Sequence, residues 1–102
     1  MSQGKFSSFR DFYPYYLNEH QNINCRRLHF IGACLAIFCL LMAVTKLELG
    51  WLPVAFVLGY LFAWIGHFFF EKNRPATFKY PLFSFMGDWA MFRDILTGRV
   101  KV

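Results

Sequence analysis

Apolar and polar positions fall in blocks along this chain rather than alternating. Leu28 to Thr45 holds no formally charged side chain, and neither does Leu49 to Phe70. A helix crossing a hydrocarbon core needs about 20 apolar residues, with a lower limit near ~17. The first block just reaches that length and the second exceeds it. Between them, Lys46-Leu47-Glu48-Leu49-Gly50 is so short that the second helix has room only to return alongside the first. Pro53 falls in the first turn of the second block, where proline is tolerated. The pattern predicts an all-α integral membrane protein built on an antiparallel two-helix transmembrane hairpin, with spans at 28–45 and 49–70.

The flanks are amphipathic. Residues 1–11 are polar and are expected to be frayed or interfacial. From 12 to 24, tyrosines mix with polar groups (Tyr13, Tyr15, Tyr16, Asn18, His20), a mixture suited to the membrane–water boundary. A short interfacial helix is predicted there, ending in a bend near Asn22–Asn24 because asparagine favours turns and caps. Residues 71–79 form a polar loop. Tyr80 to Leu96 is apolar again but carries Asp88, Arg93 and Asp94. It is a poor third span and reads as an interfacial or partly inserted helix over 80–97, ended by Gly98. The 102 residues form one membrane domain.

Composition agrees with lipid as part of the solvent: with 57% hydrophobic and only 17% charged residues, a water-soluble domain of this size could not cover its surface. The net charge of +5 comes largely from residues flanking the apolar blocks, so it reads as a topology and lipid-headgroup signal rather than a nucleic-acid footprint. Arg26 and Arg27 precede the first span, and Lys72, Arg74 and Lys79 follow the second. Lys46 in the turn is balanced by Glu48. Both termini are therefore expected in the cytoplasm. No signal peptide is expected at the start. The three cysteines, Cys25, Cys34 and Cys39, include no C-x-x-C pair and read as buried free thiols.

In lipid, helices associate through small residues. The second block has Ala55, Gly59, Ala63 and Gly66; the first has Gly32, Ala33, Ala36 and Ala43. His29 falls within the arc of the first set, and His67 lies four residues from Ala63. His29 opens one helix and His67 nearly closes the other, so in an antiparallel pair they share a level. His20, outside the span, reaches the same site if the chain bends between it and His29. Glu71 follows His67 by four and is a candidate fourth ligand or hydrogen-bond acceptor. Ionisable groups within spans are functional by default, and neutral imidazoles suit iron, zinc, copper or nickel. Two or three histidines with open positions left over is a pattern used by non-haem iron that activates oxygen. Arg26, Arg27 and Arg74 are candidate grips for a headgroup or a substrate carboxylate. Asp88 is a candidate partner for a histidine or an arginine. A non-enzymatic protein that binds lipid or a partner membrane protein, or forms oligomers, is the alternative. Haem held by histidine pairs is a further one.

The stretch Tyr16-Leu-Asn-Glu-His20-Gln-Asn-Ile-Asn-Cys-Arg-Arg-Leu-His29-Phe-Ile-Gly32, followed by Gly66-His67-Phe-Phe-Phe-Glu71-Lys-Asn-Arg-Pro75-Ala76, resembles the two signatures of a family of membrane 2-hydroxy fatty acid dioxygenases, formerly a domain of unknown function. The resemblance runs from about Phe12 to Gly98, and the two motifs in order around two spans are specific. Fungal members of the endoplasmic reticulum are longer, so this chain looks like a bacterial-type member placed in an inner membrane. The resemblance implies an Fe(II)-dependent enzyme without haem or nucleotide cofactor, with His20, His29 and His67 as catalytic iron ligands and Glu71 beside them. It also implies a fatty-acid-like 2-hydroxy substrate drawn from membrane lipid, which O2 shortens by one carbon (alpha-oxidation), and no nucleic-acid partner.

Overall fold

The computed structural model describes residues 6–102. Its elements in order are α1 (Phe9–Asn18), α2 (Ile23–Lys46), α3 (Trp51–Ile65), a π-helical turn (Gly66–Glu71) that continues α3, a 3₁₀ turn (Ala76–Phe78) and α4 (Pro81–Leu96). Among the described residues the fold is all-helical, with four α-helices. Two helices, Ile23–Lys46 and Trp51–Glu71, are long and apolar enough to cross a membrane.

Local chemistry sets the helix ends. Ser8 caps α1, its hydroxyl accepting from the Asp11 N–H, so the helix begins inside the stretch expected to be frayed. Residues 1–5 of that stretch lie outside the described residues. The helix expected over 12–24 stops at Asn18, and the bend occupies residues 19–22 because the Asn22 side chain turns back to accept from Asn24 N and Cys25 N and starts α2. Leu47, in the left-handed region at φ 52°, ends α2. Beyond α4, Gly98 takes φ +83°, and the N–H groups of Arg99 and Val100 fold back onto the Asp94 carbonyl.

α2 buries a narrow stripe of Cys25, His29, Gly32, Ala36, Cys39 and Ala43, spaced alternately by four and three residues. Against it lies the small-residue face of α3. Gly32 meets the Gly59 backbone, Ala36 and Cys39 meet Ala55, and Cys25 meets Gly66, so contacts climb one helix as they descend the other. The large side chains point outward: Leu41 is 59% exposed, Val44 71% and Val57 63%. Small residues inside and large apolar ones outside is the reverse of a water-soluble bundle and matches packing in lipid.

A second core covers the histidine end of this pair. Phe12 and Tyr16 of α1 pack with Tyr80, Phe83 and Met91, and Phe6 closes over Phe12 and Tyr80. Tyr16 lies flat against Gly87, where an added Cβ would come within 2.7 Å of its ring. Thus α1 and α4 together form a lid of aromatic side chains.

The glycines of the helix pair play different parts. A Cβ on Gly66 would sit 2.9 Å from the Cys25 sulfur and 3.1 Å from its Cα, whereas a Cβ on Gly59 meets nothing within 4 Å. Gly66→Ala is expected to force the helices apart and cost about 1–3 kcal/mol. Gly59→Ala is expected to be neutral or stabilising by up to ~1 kcal/mol through helix propensity. Thermal unfolding of both variants in the same detergent checks the contrast.

Candidate metal centre

Three imidazoles meet under the aromatic lid. His20 comes from the bend after α1, His29 from the first turns of α2, and His67 from the π-helical turn; all three are buried. Their ring centroids lie 4.4 Å (His20–His67), 4.5 Å (His20–His29) and 5.0 Å (His29–His67) apart, each pair edge to face. One ring nitrogen from each, together with the Cys25 sulfur, falls within 4.8 Å of the others, a grouping that could hold a metal ion.

The outer nitrogens decide how the rings are protonated. His20 Nδ1 lies 2.6 Å from the Tyr16 carbonyl oxygen, and His29 Nδ1 2.9 Å from that of Cys25. A carbonyl only accepts, so in both rings Nδ1 carries the proton. His67 Nδ1 lies 2.7 Å from Asn73 Oδ1. The Asn73 amide is oriented by its Nδ2, which donates to the Glu19 carbonyl at 3.1 Å, so its oxygen faces the ring and Nδ1 of His67 donates as well. All three Nε2 atoms are thereby left as lone-pair acceptors. His20 Nε2 and His29 Nε2 lie 3.1 Å apart. Burial, reinforced by the neighbouring imidazoles, holds the His20 ring well below its ordinary pKa, so no extra proton bridges that gap. Lone pairs facing one another at this distance are relieved by a cation. A buried, neutral set of imidazoles whose outer N–H groups are all bonded is the usual form of a histidine metal site, and the residues fit one.

The π-helical turn places His67. Lys72, at φ 59°, and Asn73 return their N–H groups to the His67 carbonyl, closing the turn and carrying the Asn73 side chain back to the ring. Glu71, four after His67, does not join the cluster. Its Oε2 accepts from the Asn22 N–H at 2.5 Å and ties the end of α3 to the start of α2.

The remaining candidates are spread around the centre. Arg26 is committed to backbone: its Nε donates to the His20 carbonyl at 2.6 Å and its Nη1 to that of Lys101 at 3.1 Å. Arg27 and Arg74 are exposed. Asp88 is half-buried and accepts from the Tyr16 hydroxyl, and Tyr16 in turn stacks on His20 with centroids 4.0 Å apart. Burial raises the Asp88 carboxyl to about 7.

Several partners had no place in the sequence reading. Asn73 and the carbonyls of Tyr16 and Cys25 orient the rings, and the Cys25 sulfur lies 3.6 Å from His29 Nδ1. The i, i+4 spacing of Cys25 and His29 was the available signal for that contact. Cys25 and Cys39 are buried as expected, but Cys34 is exposed on the outer face of α2.

Residues 6–100 match the family described as 2-hydroxy-palmitic acid dioxygenase Mpo1-like. Neither the curated proteins nor the solved structures contain a match. With all three histidines and nearly the whole chain inside the matched stretch, this chain belongs to the Mpo1-like family.

Proposed function

We propose that this chain is an Fe(II)-dependent dioxygenase of 2-hydroxy fatty acids, with His20, His29 and His67 as the iron ligands. The observation that carries the reading is the convergence of three buried imidazoles, each with Nδ1 hydrogen-bonded outward and Nε2 left as an acceptor. Family membership supplies the substrate class. A ferrous ion held by three imidazoles would keep open positions for O2 and for the hydroxyl and carboxylate of the acid. Overall, a 2-hydroxy acid and O2 give the acid one carbon shorter, carbon dioxide and water, which balances atoms and electrons.

The protein's own residues do the rest. The three Nδ1 acceptors fix ring orientation before iron arrives. The aromatic lid of Phe12, Tyr16, Tyr80 and Phe83 excludes water from the reacting atoms. Arg27 and Arg74 offer positive charge near the same end, attracting an acid headgroup. Asp88, fixed by the Tyr16 hydroxyl, keeps Tyr16 stacked on His20.

The setting we propose is a bacterial inner membrane. α2 and α3 are the transmembrane hairpin, both termini are cytoplasmic and α4 lies in the interface or is partly inserted. Its support is the outward-facing large apolar side chains and the basic residues gathered at the histidine end.

Anaerobically purified protein should carry about one iron per chain. His20→Ala, His29→Ala and His67→Ala should each abolish stoichiometric iron and, with it, the O2-dependent shortening of 2-hydroxypalmitate followed by mass spectrometry. Iron retained by all three variants would contradict the assignment. Removing iron with a chelator should stop the reaction, and added Fe(II) should restore it.

Asn73 offers a second test. Asn73→Leu, which removes the acceptor from His67, should weaken iron about 10–100-fold. Asn73→Asp, which keeps an acceptor, should stay near wild type. Iron titration against a competing chelator separates the two.

A further inference from the structure

Where the hydrocarbon tail of a substrate lies is a separate question from where its acid group reacts. An apolar groove of about 200 Å³, beginning at His29, runs between the helix pair and α4. Ala33, Ala36 and Leu40 line it from α2, and Leu52, Ala55 and Gly59 from α3. Phe85 and Trp89 of α4 lie along it, and Trp89 packs on the cluster of Ala36, Cys39 and Ala55. His29, Asp88 and Tyr60 also line it. From His29 to Leu40 the groove follows α2 for about 16 Å at 1.5 Å per residue. An extended chain of roughly a dozen carbons spans that length.

Gly59 shows that the space is not a by-product of packing. Gly32 and Gly66 are small because a Cβ on either would strike the neighbouring helix, but a Cβ on Gly59 would point into open space. Here the missing side chain leaves the groove clear near its histidine end. Ala33 leaves the facing wall equally low.

We infer that this groove is the acyl-chain site of the enzyme, holding the tail of a straight-chain 2-hydroxy acid with its acid end at the histidines, and that the residues lining it set the chain length accepted. The inference rests on the proposed function for the identity of the acid. A tail arriving from lipid gains little by transfer alone, since it leaves one apolar medium for another. Selection therefore comes from shape: a tail that fits packs against Ala36, Ala55 and Trp89, and a blocked groove turns it away. The quantity to measure is the ratio of long to short acids bound rather than absolute affinity.

The test uses iron-loaded protein in nanodiscs, kept anaerobic and offered an equimolar series of straight-chain 2-hydroxy acids from eight to twenty carbons, with retained acids quantified by mass spectrometry. Wild type should favour long chains. Gly59→Leu, or Ala33→Leu from the opposite wall, should lower the long-to-short ratio at least tenfold with iron content unchanged. An unchanged ratio in a variant that keeps its iron and helicity would overturn the inference. A wild-type measurement covers the case in which neither variant folds. A 2-hydroxy acid with a mid-chain diazirine should label Ala36, Ala55 or Trp89 on illumination, and labelling confined to outward residues such as Val44 and Val57 would place the tail in lipid and overturn it. Admitting oxygen afterwards tests the enzymatic reading separately. If no chain is shortened while the ratio and the labelling behave as expected, the acyl site stands and the reaction assigned to it fails.

Discussion

Three imidazoles cannot be buried against one another without a partner for every nitrogen, and the residues around the centre answer to that constraint. Each buried ring brings in two nitrogens, and a buried polar group left unbonded costs about 1–3 kcal/mol. Tyr16, Cys25 and Asn73 take the three outer nitrogens. Of the inner three, those of His20 and His29 stand 3.1 Å apart with lone pairs opposed. A cation at the centre would complete the arrangement. The bend at residues 19–22, the π-helical turn and the aromatic lid all serve to bring the rings to this point.

Close approach of the two long helices makes that convergence geometrically possible. At Gly66 the α3 backbone comes against Cys25, one turn before His29, leaving the two helix ends only a side chain apart. Deeper in the pair, small residues at Ala36, Ala55 and Gly59 no longer serve contact alone, and the groove they leave runs from His29 into the apolar body of the molecule. In the function we propose, a polar head site and an apolar tail site share one pair of helices, as a substrate with an acid group and a long tail requires.

Much of the frame was legible in the sequence. Two uncharged blocks and a short turn showed the two long helices, and the position of His29 and His67 within them showed a common level. Four features were hidden because each depends on tertiary structure. Spacing alone sets Glu71 on the face of His67, but the Asn22 N–H, 49 residues away in the chain, takes up its carboxylate. Asn73 lies in a polar loop whose path back to His67 depends on Lys72 adopting a left-handed backbone. Arg26 carries the charge of a headgroup anchor, yet its guanidinium spans two backbone carbonyls, one of them His20's. Small-residue spacing likewise marked Gly59 as a helix contact without showing that its open side faces a cavity.

In the centre we propose, three imidazole Nε2 atoms, and no sulfur, hold the metal. X-ray absorption at the iron edge of the loaded protein tests it most directly. The expected result is the multiple-scattering pattern of three imidazoles with only nitrogen and oxygen in the inner shell. A sulfur at roughly 2.3 Å, the distance of a bound thiolate, would put Cys25 in the shell, and fewer than three imidazoles would break the triad; either result would contradict it.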